Sequence, residues 1–424
     1  MRLRGRPEHW VGAGLVAVML GVAGFQLLDQ ADPAHAVGAV DIDGYPARTE
    51  VTACAEPLVG KPGVVAFRSL VLSQLGGGDD GLQVCKLIAN DSGSLSDHAD
   101  GRAWDWHVEA KRATDRARVD RLLNWLLRPD ERGHRNAMAR RIGITYIIWN
   151  HQYYRVSSDD ARWVPYTSTG DPHDTHVHFS FSVAGAAQET SWWADRAPLT
   201  WLVPGAREVP LTFGQGPDQP VVGDWDGDGR DTMGVFDPVG RRFSLRNGIS
   251  AGPADLITPP IGPFGAVPLV GDWDGDGRDE LGVYDSVQRR FSFTSLTGAQ
   301  LRSSLVLGAA GDVPVVGDWN GDGTDDIGIF TSGTQTFSLR QQDGSVTERR
   351  LGETHDAPVI GDWDGDRVDD LGMYNATTRM FALRAADGSL RQQFLGGFRD
   401  TPVVGDWNGS GRDAPATVSA GRRP

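Results

Sequence analysis

The chain has 424 residues, a formal net charge of −15 and only two cysteines, Cys54 and Cys85. The negative charge argues against a nucleic-acid partner, because phosphate backbones attract basic surfaces. The two cysteines lack the Cys-x-x-Cys spacing of a zinc or redox pair, which argues against a catalytic thiol. In an oxidising compartment we expect Cys54 and Cys85 to form one disulfide.

Residues 1–36 have the pattern of an export signal. An arginine-rich start is followed by the largely apolar stretch from Val11 to Leu28 and by the small-x-small site Ala34-His-Ala36. We therefore predict a protein that is secreted or cell-wall associated. An uncleaved leader acting as a single anchor is the alternative, and it is the one membrane contact that we expect.

Residues 37–195 have the pattern of one α+β domain, a normal size for a single core. Apolar residues at helical spacing and alternating runs give the order of its elements. The predicted helices cover residues 64–75, 113–127 and 136–141, and the predicted strands cover residues 81–88, 102–108, 144–150 and 176–182.

Two short motifs in this domain carry metal-ligand chemistry. The first is Ser96-x-His98-x-x-Gly101-x-Ala103-x-Asp105, in which Gly101 can make a tight bend between His98 and Asp105. The second places Asp174, His176 and His178 at alternate positions, so that they share one face of a strand. Seven of the ten histidines lie between residues 98 and 178, which favours a metal site over scattered structural histidines.

The first motif resembles the metal motif of D-Ala-D-Ala carboxypeptidase-type zinc peptidases, a group that shares its core with lysostaphin and Sonic hedgehog. The resemblance implies that His98, Asp105 and His178 bind Zn²⁺ and leave one position for water. It also implies that His176 or Asp174 moves protons.

The third residue before His178, where many relatives have an acid, is Thr175, which leaves the identity of the base open. Peptidases of this type place a cation near the first motif to stabilise the oxyanion. Lys86 is the predicted cation, and Arg68 is its rival.

The function implied by this resemblance is that of an exported zinc metallopeptidase, a carboxypeptidase or an endopeptidase. Its substrate would be a cell-wall peptide that contains D-amino acids. Two alternatives remain open: a non-catalytic zinc-containing adhesion or ligand-binding protein, and an amidase or peptidase that acts on secreted proteins.

From residue 196 to residue 424 the chain repeats itself. A Gly-Asp-Trp block recurs at intervals of 44 to 48 residues, with its aspartates at Asp224, Asp272, Asp318, Asp362 and Asp406. This period predicts one four-stranded β-propeller blade per repeat. We expect five blades, the last closed by the segment near residues 208–213, which would leave no open sheet edge. An open, linear array of β modules is the alternative.

The loop after each block offers oxygen ligands at alternate positions followed by a glycine, the pattern of a tight Ca²⁺ loop. These loops resemble those of FG-GAP, or integrin-type, propeller repeats. We expect a glycan or a protein as the ligand of the propeller. Arg367 in the fourth loop and Ser410 in the fifth depart from the pattern, and simple acidic turns are the alternative. The predicted calcium ligands are Asp224, Asp226, Asp228, Asp272, Asp274, Asp276, Glu280, Asp318, Asn320, Asp322, Asp326, Asp362, Asp364, Asp366 and Asp370.

Overall fold

The computed structural model describes residues 44–54, 59–82, 95–130, 134–156, 161–167, 171–194, 198–206, 211–353, 356–397 and 400–420. The predicted leader and Lys86 lie outside these residues. Cys85, the predicted partner of Cys54, also lies outside them, so the structure does not describe the expected bridge between the two. Within the described ranges, no helix is both long enough and apolar enough to cross a membrane.

The first half of the chain forms one six-stranded antiparallel sheet. Its spatial order is β1-β2-β6-β3-β4-β5, so β6, the last strand in sequence, lies between β2 and β3. The strands are β1 (Gly78–Gly81), β2 (Ala103–His107), β3 (Ile144–Trp149), β4 (Gln152–Arg155), β5 (Trp163–Pro165) and β6 (His176–Phe181).

Helices accompany this sheet. Pro62 occupies the start of the first helix, where its missing N–H costs nothing, and Gly76 ends it with a positive φ of 71°. A one-turn 3-10 helix covers Asp97–Asp100. The α-helices are α1 (Pro62–Leu75), α2 (Ala113–Leu127), α3 (Ala137–Ile142), α4 (Val183–Ala186) and α5 (Ser191–Ala194).

The core of this half lies between α1 and one face of β2 and β6. Trp104 and Trp106 alternate with Asp105 along β2, so both indoles enter the core while the carboxylate points to the other face. Phe67 of α1 makes edge contacts with Trp104 and Phe179, at ring-centroid distances of 6.0 and 5.2 Å. The opposite face of the same two strands is therefore left for polar side chains.

The second half of the chain consists of five four-stranded antiparallel sheets, so most of the regular structure in the described residues is β-strand. In the first four sheets the strands follow each other in chain order. The strands of the first two sheets are β9 (Gln219–Gly223), β10 (Thr232–Asp237), β11 (Arg242–Leu245) and β12 (Leu256–Ile257), then β13 (Val267–Gly271), β14 (Glu280–Asp285), β15 (Arg290–Thr294) and β16 (Gln300–Val306).

The next two sheets repeat this arrangement. Their strands are β17 (Val313–Gly317), β18 (Asp326–Thr331), β19 (Thr336–Arg340) and β20 (Val346–Arg350), then β21 (Ala357–Gly361), β22 (Asp370–Asn375), β23 (Met380–Arg384) and β24 (Leu390–Phe394).

The fifth sheet joins the two ends of the repeat region. It pairs β25 (Thr401–Gly405) and β26 (Ala414–Ala420) with β7 (Pro198–Leu202) and β8 (Leu211–Gln215). The predicted closing segment overlaps β8 but misses β7, which is the strand that pairs directly with β26. Sequence reasoning missed β7 because Pro198–Leu202 carries none of the repeat motifs.

The five sheets form a closed cycle through their innermost strands. β9 contacts β13, β13 contacts β17, β17 contacts β21, β21 contacts β25, and β25 contacts β9 again. A closed cycle of four-stranded sheets is typical of a β-propeller, which leaves only short, protected sheet edges.

Hydrogen bonds to an aspartate carboxylate tie each sheet to the next. The Asp224 N–H donates to Asp279 Oδ2 of the following repeat at 2.8 Å, and the Asp279 N–H donates to the Asp224 carbonyl at 2.8 Å. The same exchange recurs around the cycle, and the Asp406 N–H closes it by donating to Asp231 Oδ2 at 2.7 Å. The block glycine makes this possible, because a Cβ on Gly271 would lie 2.6 Å from the carboxylate of Asp325.

Five carboxylates thus surround a cavity of about 170 Å³ that is lined by all five innermost strands. Burial, together with neighbouring aspartates, raises the pKa of every one of them, and that of Asp369 to about 7. The members of this carboxylate ring are Asp231, Asp279, Asp325, Asp369 and Asp413.

The carboxylate ring makes stability depend on pH. Because the pKa of Asp369 is raised in the folded protein, the native state holds the proton more tightly, and stability falls as pH rises from about 4 to about 7. We expect Asp369→Asn to reduce the loss of unfolding free energy between pH 4 and pH 8 by at least about 1 kcal/mol. The free energy is measured by urea unfolding at both pH values without divalent ions. The matched control is Asp387→Asn on an exposed turn, and an equal pH dependence in both variants would contradict the account.

Candidate metal centre

Three predicted ligands meet on the polar face of β2 and β6. Asp105 lies directly opposite His178 in the register of these strands. His98 comes from the 3-10 helix before β2, and Gly101 reverses the chain with a φ of 77°. A Cβ at Gly101 would lie 2.4 Å from the Val59 carbonyl oxygen, so glycine is required here for space as well as for φ.

The ligand atoms of these residues converge closely. His98 Nε2 lies 3.1 Å from Asp105 Oδ2, and His178 Nδ1 lies 2.9 Å from Asp105 Oδ1. The two imidazole nitrogens are 3.2 Å apart. Ligand atoms at about 2.0–2.1 Å from a tetrahedral zinc ion lie roughly 3.3 Å from each other, so this spacing fits a metal.

The electrostatics of the cluster favour an ionised carboxylate beside the two rings. Burial raises the pKa of Asp105, but hydrogen bonds from His178 and His98 outweigh burial and hold that pKa well below its usual range. Burial lowers the pKa of His98, yet Asp105 outweighs it and the net shift is upward. For His178 burial prevails, and its pKa is lowered.

Neighbouring side chains orient His178. Its Nδ1 faces Asp105, and its Nε2 lies 3.0 Å from the hydroxyl of the fully buried Ser180. When a metal ion replaces the proton on Nδ1, an Nε2–H that donates to this hydroxyl would leave the Nδ1 lone pair for the ion. Tyr146 stacks on the ring at a centroid distance of 5.5 Å. Sequence reasoning missed Ser180, although its position two residues after His178 on one strand face was a usable signal.

A second histidine cluster lies beside the first and changes the assignment of nearby residues. Asp171, His173 and His176 bring one potential ligand atom each within 4.8 Å of one another. The sequence motifs singled out neither His173 nor Asp171 as a ligand. Two carboxylates lie near His176 Nε2, that of Asp171 at 3.7 Å and that of Asp105 at 3.8 Å. The predicted Asp174 is not among the residues of this cluster.

A buried ion pair supports the loop that carries His98. Arg102 is 2% exposed and donates to Asp97 Oδ1, which is completely buried, at 3.1 Å. The same guanidinium donates to Asp100 Oδ2 and to the carbonyls of Phe181 and Thr49. Arg102 therefore links the 3-10 helix to the end of β6.

Three of the loops after the Gly-Asp-Trp blocks bring aspartates together. In the first loop, Asp224 accepts hydrogen bonds from the N–H groups of Gly227 and Gly229, and Asp226 and Asp228 lie close to it. The equivalent aspartates of the Asp272 and Asp362 loops also cluster. Burial and loop aspartates raise the pKa of the closing carboxylates, that of Glu280 to about 7 and those of Asp326 and Asp370 to about 6.

The two loops that depart from the pattern keep its backbone form. Arg367 has a φ of 68°, and its N–H donates to Asp362 Oδ2 at 2.8 Å, the bond that Gly229 makes in the first loop. In the fifth loop the Ser410 and Gly411 N–H groups donate to Asp406. The turn therefore forms without a full set of carboxylates.

Comparison with known proteins gives one family match. A family model described as VldE, C-terminal domain, matches residues 61–177, less than half of the chain. Comparison with curated proteins finds no match.

Solved structures resemble the chain only weakly. A catalytically inactive virginiamycin B lyase from Staphylococcus aureus with quinupristin is 11% identical, with a TM-score of 0.29, over 49% of this chain and 64% of that chain, which is less than two thirds of its length. A streptogramin B lyase is 10% identical, with a TM-score of 0.29, over 67% of this chain and 84% of that chain. A lectin from Agrocybe aegerita that recognises non-reducing terminal N-acetylglucosamine is 14% identical, with a TM-score of 0.29, over 68% of this chain and 72% of that chain. At these scores the likeness supports no statement about function.

The family match corrects the interpretation of the motifs. The matched family is neither of the two that the motifs suggested, so assignment to the D-Ala-D-Ala carboxypeptidase group and to the integrin-type repeats is wrong. The predicted metallopeptidase activity and the D-amino-acid cell-wall substrate depended on that assignment and are wrong with it. The comparisons give no support to the non-catalytic adhesion or ligand-binding alternative either.

The ion pair between Arg102 and Asp97 generates a stability prediction. Arg102→Met removes the nearer guanidinium of the buried Asp97 and leaves only Arg48, whose Nε lies 3.7 Å from Oδ2, so we expect a cost of up to about 3–5 kcal/mol. Hydrogen exchange of the peptides that cover β2 and β6 should speed up accordingly. Arg391→Met, which removes an exposed arginine that donates to Gln393, is the control and should change stability by less than about 0.5 kcal/mol. Equal protection of β2 and β6 in both variants would contradict this role for Arg102.

Proposed function

We propose that residues 44–194 bind a divalent metal ion of the zinc class through His98, Asp105 and His178. The observation that carries the proposal is the convergence of three side chains on one polar face, where the two imidazole nitrogens lie 3.2 Å apart and each lies 2.9–3.1 Å from one oxygen of Asp105. Two imidazole nitrogens and one carboxylate oxygen are a donor set that suits Zn²⁺. Each nitrogen faces one oxygen of the Asp105 carboxylate, so the two rings and the carboxylate share one small space.

Three protein ligands leave one position of a tetrahedral ion for a further ligand. A bound zinc ion supplies a Lewis acid that polarises an oxygen ligand. Asp105 and the Ser180 hydroxyl orient His178, and Asp105 holds His98 in place. The function supported best is binding of this metal together with an exchangeable oxygen ligand such as water, a carboxylate or a phosphate.

The propeller is the second part of the proposal. We propose a single five-bladed ring whose Asp224, Asp272, Asp318 and Asp362 loops bind Ca²⁺. Three carboxylates in one short loop repel one another unless a cation is present. Burial first, and the loop aspartates after it, raise the pKa of Glu280. The leader pattern of residues 1–36 supports export, where millimolar calcium would saturate weak sites.

The metal proposal predicts the loss of bound zinc on mutation. His98→Ala should release one zinc ion per chain, because two remaining ligands hold the ion far less tightly. Zinc content is measured by mass spectrometry on the folded, full-length protein in the presence of calcium. Asp105→Ala is the second test variant, and His134→Ala, whose ring pairs with Asp130, is the matched control. Unchanged zinc in both test variants would overturn the assignment.

The calcium proposal predicts a calcium-dependent rise in Tm. Calcium at a hundredfold excess over Kd stabilises the folded ring by about 2.7 kcal/mol per site. Asp272→Asn should reduce the rise that calcium causes in metal-stripped protein. Asp406→Asn changes a loop that has Ser410 in place of a carboxylate, so it should leave the rise unchanged. The absence of any calcium effect in the wild type would mean that the loops are acidic turns.

A further inference from the structure

We propose that Asp171, His173 and His176 form a second metal site and that Asp105 bridges the two ions. The proposal rests on the metal centre of His98, Asp105 and His178 proposed above. With this second site the centre would hold two ions instead of one. His176, which the family resemblance implied to move protons, would then be a metal ligand.

The first observation is the position of Asp105 between the two histidine clusters. Its Oδ2 faces His98 at 3.1 Å, while its Oδ1 faces both His178 at 2.9 Å and His176 Nε2 at 3.8 Å. Each oxygen therefore has imidazole nitrogens beside it. A carboxylate in this position can give one oxygen to each of two ions, which in two-metal sites lie about 3.5–4 Å apart.

The second observation is that the Asp171 loop prepares its own ligand atoms. His173 Nδ1 lies 2.9 Å from the Asp171 carbonyl oxygen, so Nδ1–H donates there and the lone pair of Nε2 is free for a metal. The His173 N–H donates to Asp171 Oδ1 at 2.8 Å, and Asp171 Oδ2 lies 3.7 Å from His176 Nε2. One oxygen of Asp171 thus holds the turn and the other faces the cluster.

The third observation is that the loop is held in an unfavourable backbone conformation. His173 has a φ of 54°, which is disfavoured for a residue with a side chain. Its carbonyl accepts from the Asn150 N–H at 2.7 Å, and the Pro172 carbonyl accepts from the His151 N–H at 3.0 Å. The β3–β4 turn therefore fixes the conformation that brings His173 onto His176, at a ring-centroid distance of 4.7 Å.

Solvent reaches the second position past Asp171. The side chain of Asp171 is 56% exposed, whereas His173 and His176 are as buried as His98 and His178. Ligands of the second ion would therefore exchange on the Asp171 side. An oxyanion such as a carboxylate or phosphate is the ligand class that can bridge two adjacent divalent ions.

Zinc stoichiometry of the full-length, calcium-saturated protein tests the proposal. Wild type should bind two zinc ions per chain in this region, and His98→Ala and His176→Ala should each lose one. The double variant should lose both. Asp171→Asn should weaken the second site, whereas Asp174→Asn, which alters the neighbouring carboxylate outside the cluster, should not. In Co²⁺-substituted wild type, the two ions should show magnetic coupling that His176→Ala abolishes.

The other possible results separate the second site from the first centre. If wild type binds a single zinc ion that is lost in His98→Ala and kept in His176→Ala, the second site is overturned and the first centre stands. Two zinc ions that both survive His176→Ala place the second ion elsewhere and also overturn it. Zinc content that is insensitive to His98→Ala overturns the first centre, and the bridged pair falls with it.

Discussion

The pairing register of β2 with β6 is the constraint on which the polar face of the first half depends. It sets Asp105 opposite His178 and, by alternation, sends Trp104 and Trp106 into the core on the other side. A shift by one residue would bury the carboxylate and expose the indoles. The aromatic core therefore fixes the place of the metal ligands. The same polar face holds both histidine clusters, and the carboxylate of Asp105 lies between them.

A different constraint organises the repeats. Each block aspartate donates its N–H to a carboxylate of the next sheet and accepts loop N–H groups on its own side chain, so one residue serves both the ring and the loop. The block glycine leaves the space that the neighbouring carboxylate fills. The ring is thus joined by buried carboxylates whose charge opposes folding at neutral pH, and the calcium ions that we propose for the adjacent loops would offset part of that repulsion.

Much of this arrangement could be predicted from local patterns. The Gly-Asp-Trp period predicted the number of sheets, because the same signal recurs in every repeat. The spacing of His98, Gly101 and Asp105 indicated a bend between two proposed ligands, because the three residues are close in sequence. β7 was missed because its place in the fifth sheet is set by pairing with β26, more than 200 residues away. Asp171 and His173 were missed because a loop with an unfavourable φ, held by contacts to Asn150 and His151, leaves no periodic signal. The family assignment failed because short metal motifs describe ligand chemistry rather than ancestry.

X-ray absorption at the zinc edge would show directly whether His98, Asp105 and His178 bind zinc. We expect a first shell of imidazole nitrogen and carboxylate oxygen at about 2.0–2.1 Å, with the multiple-scattering pattern of histidine rings. His98→Ala should weaken that pattern. A shell of oxygen alone, as expected for zinc held by the propeller loops, or a histidine pattern that is unchanged in His98→Ala, would contradict it.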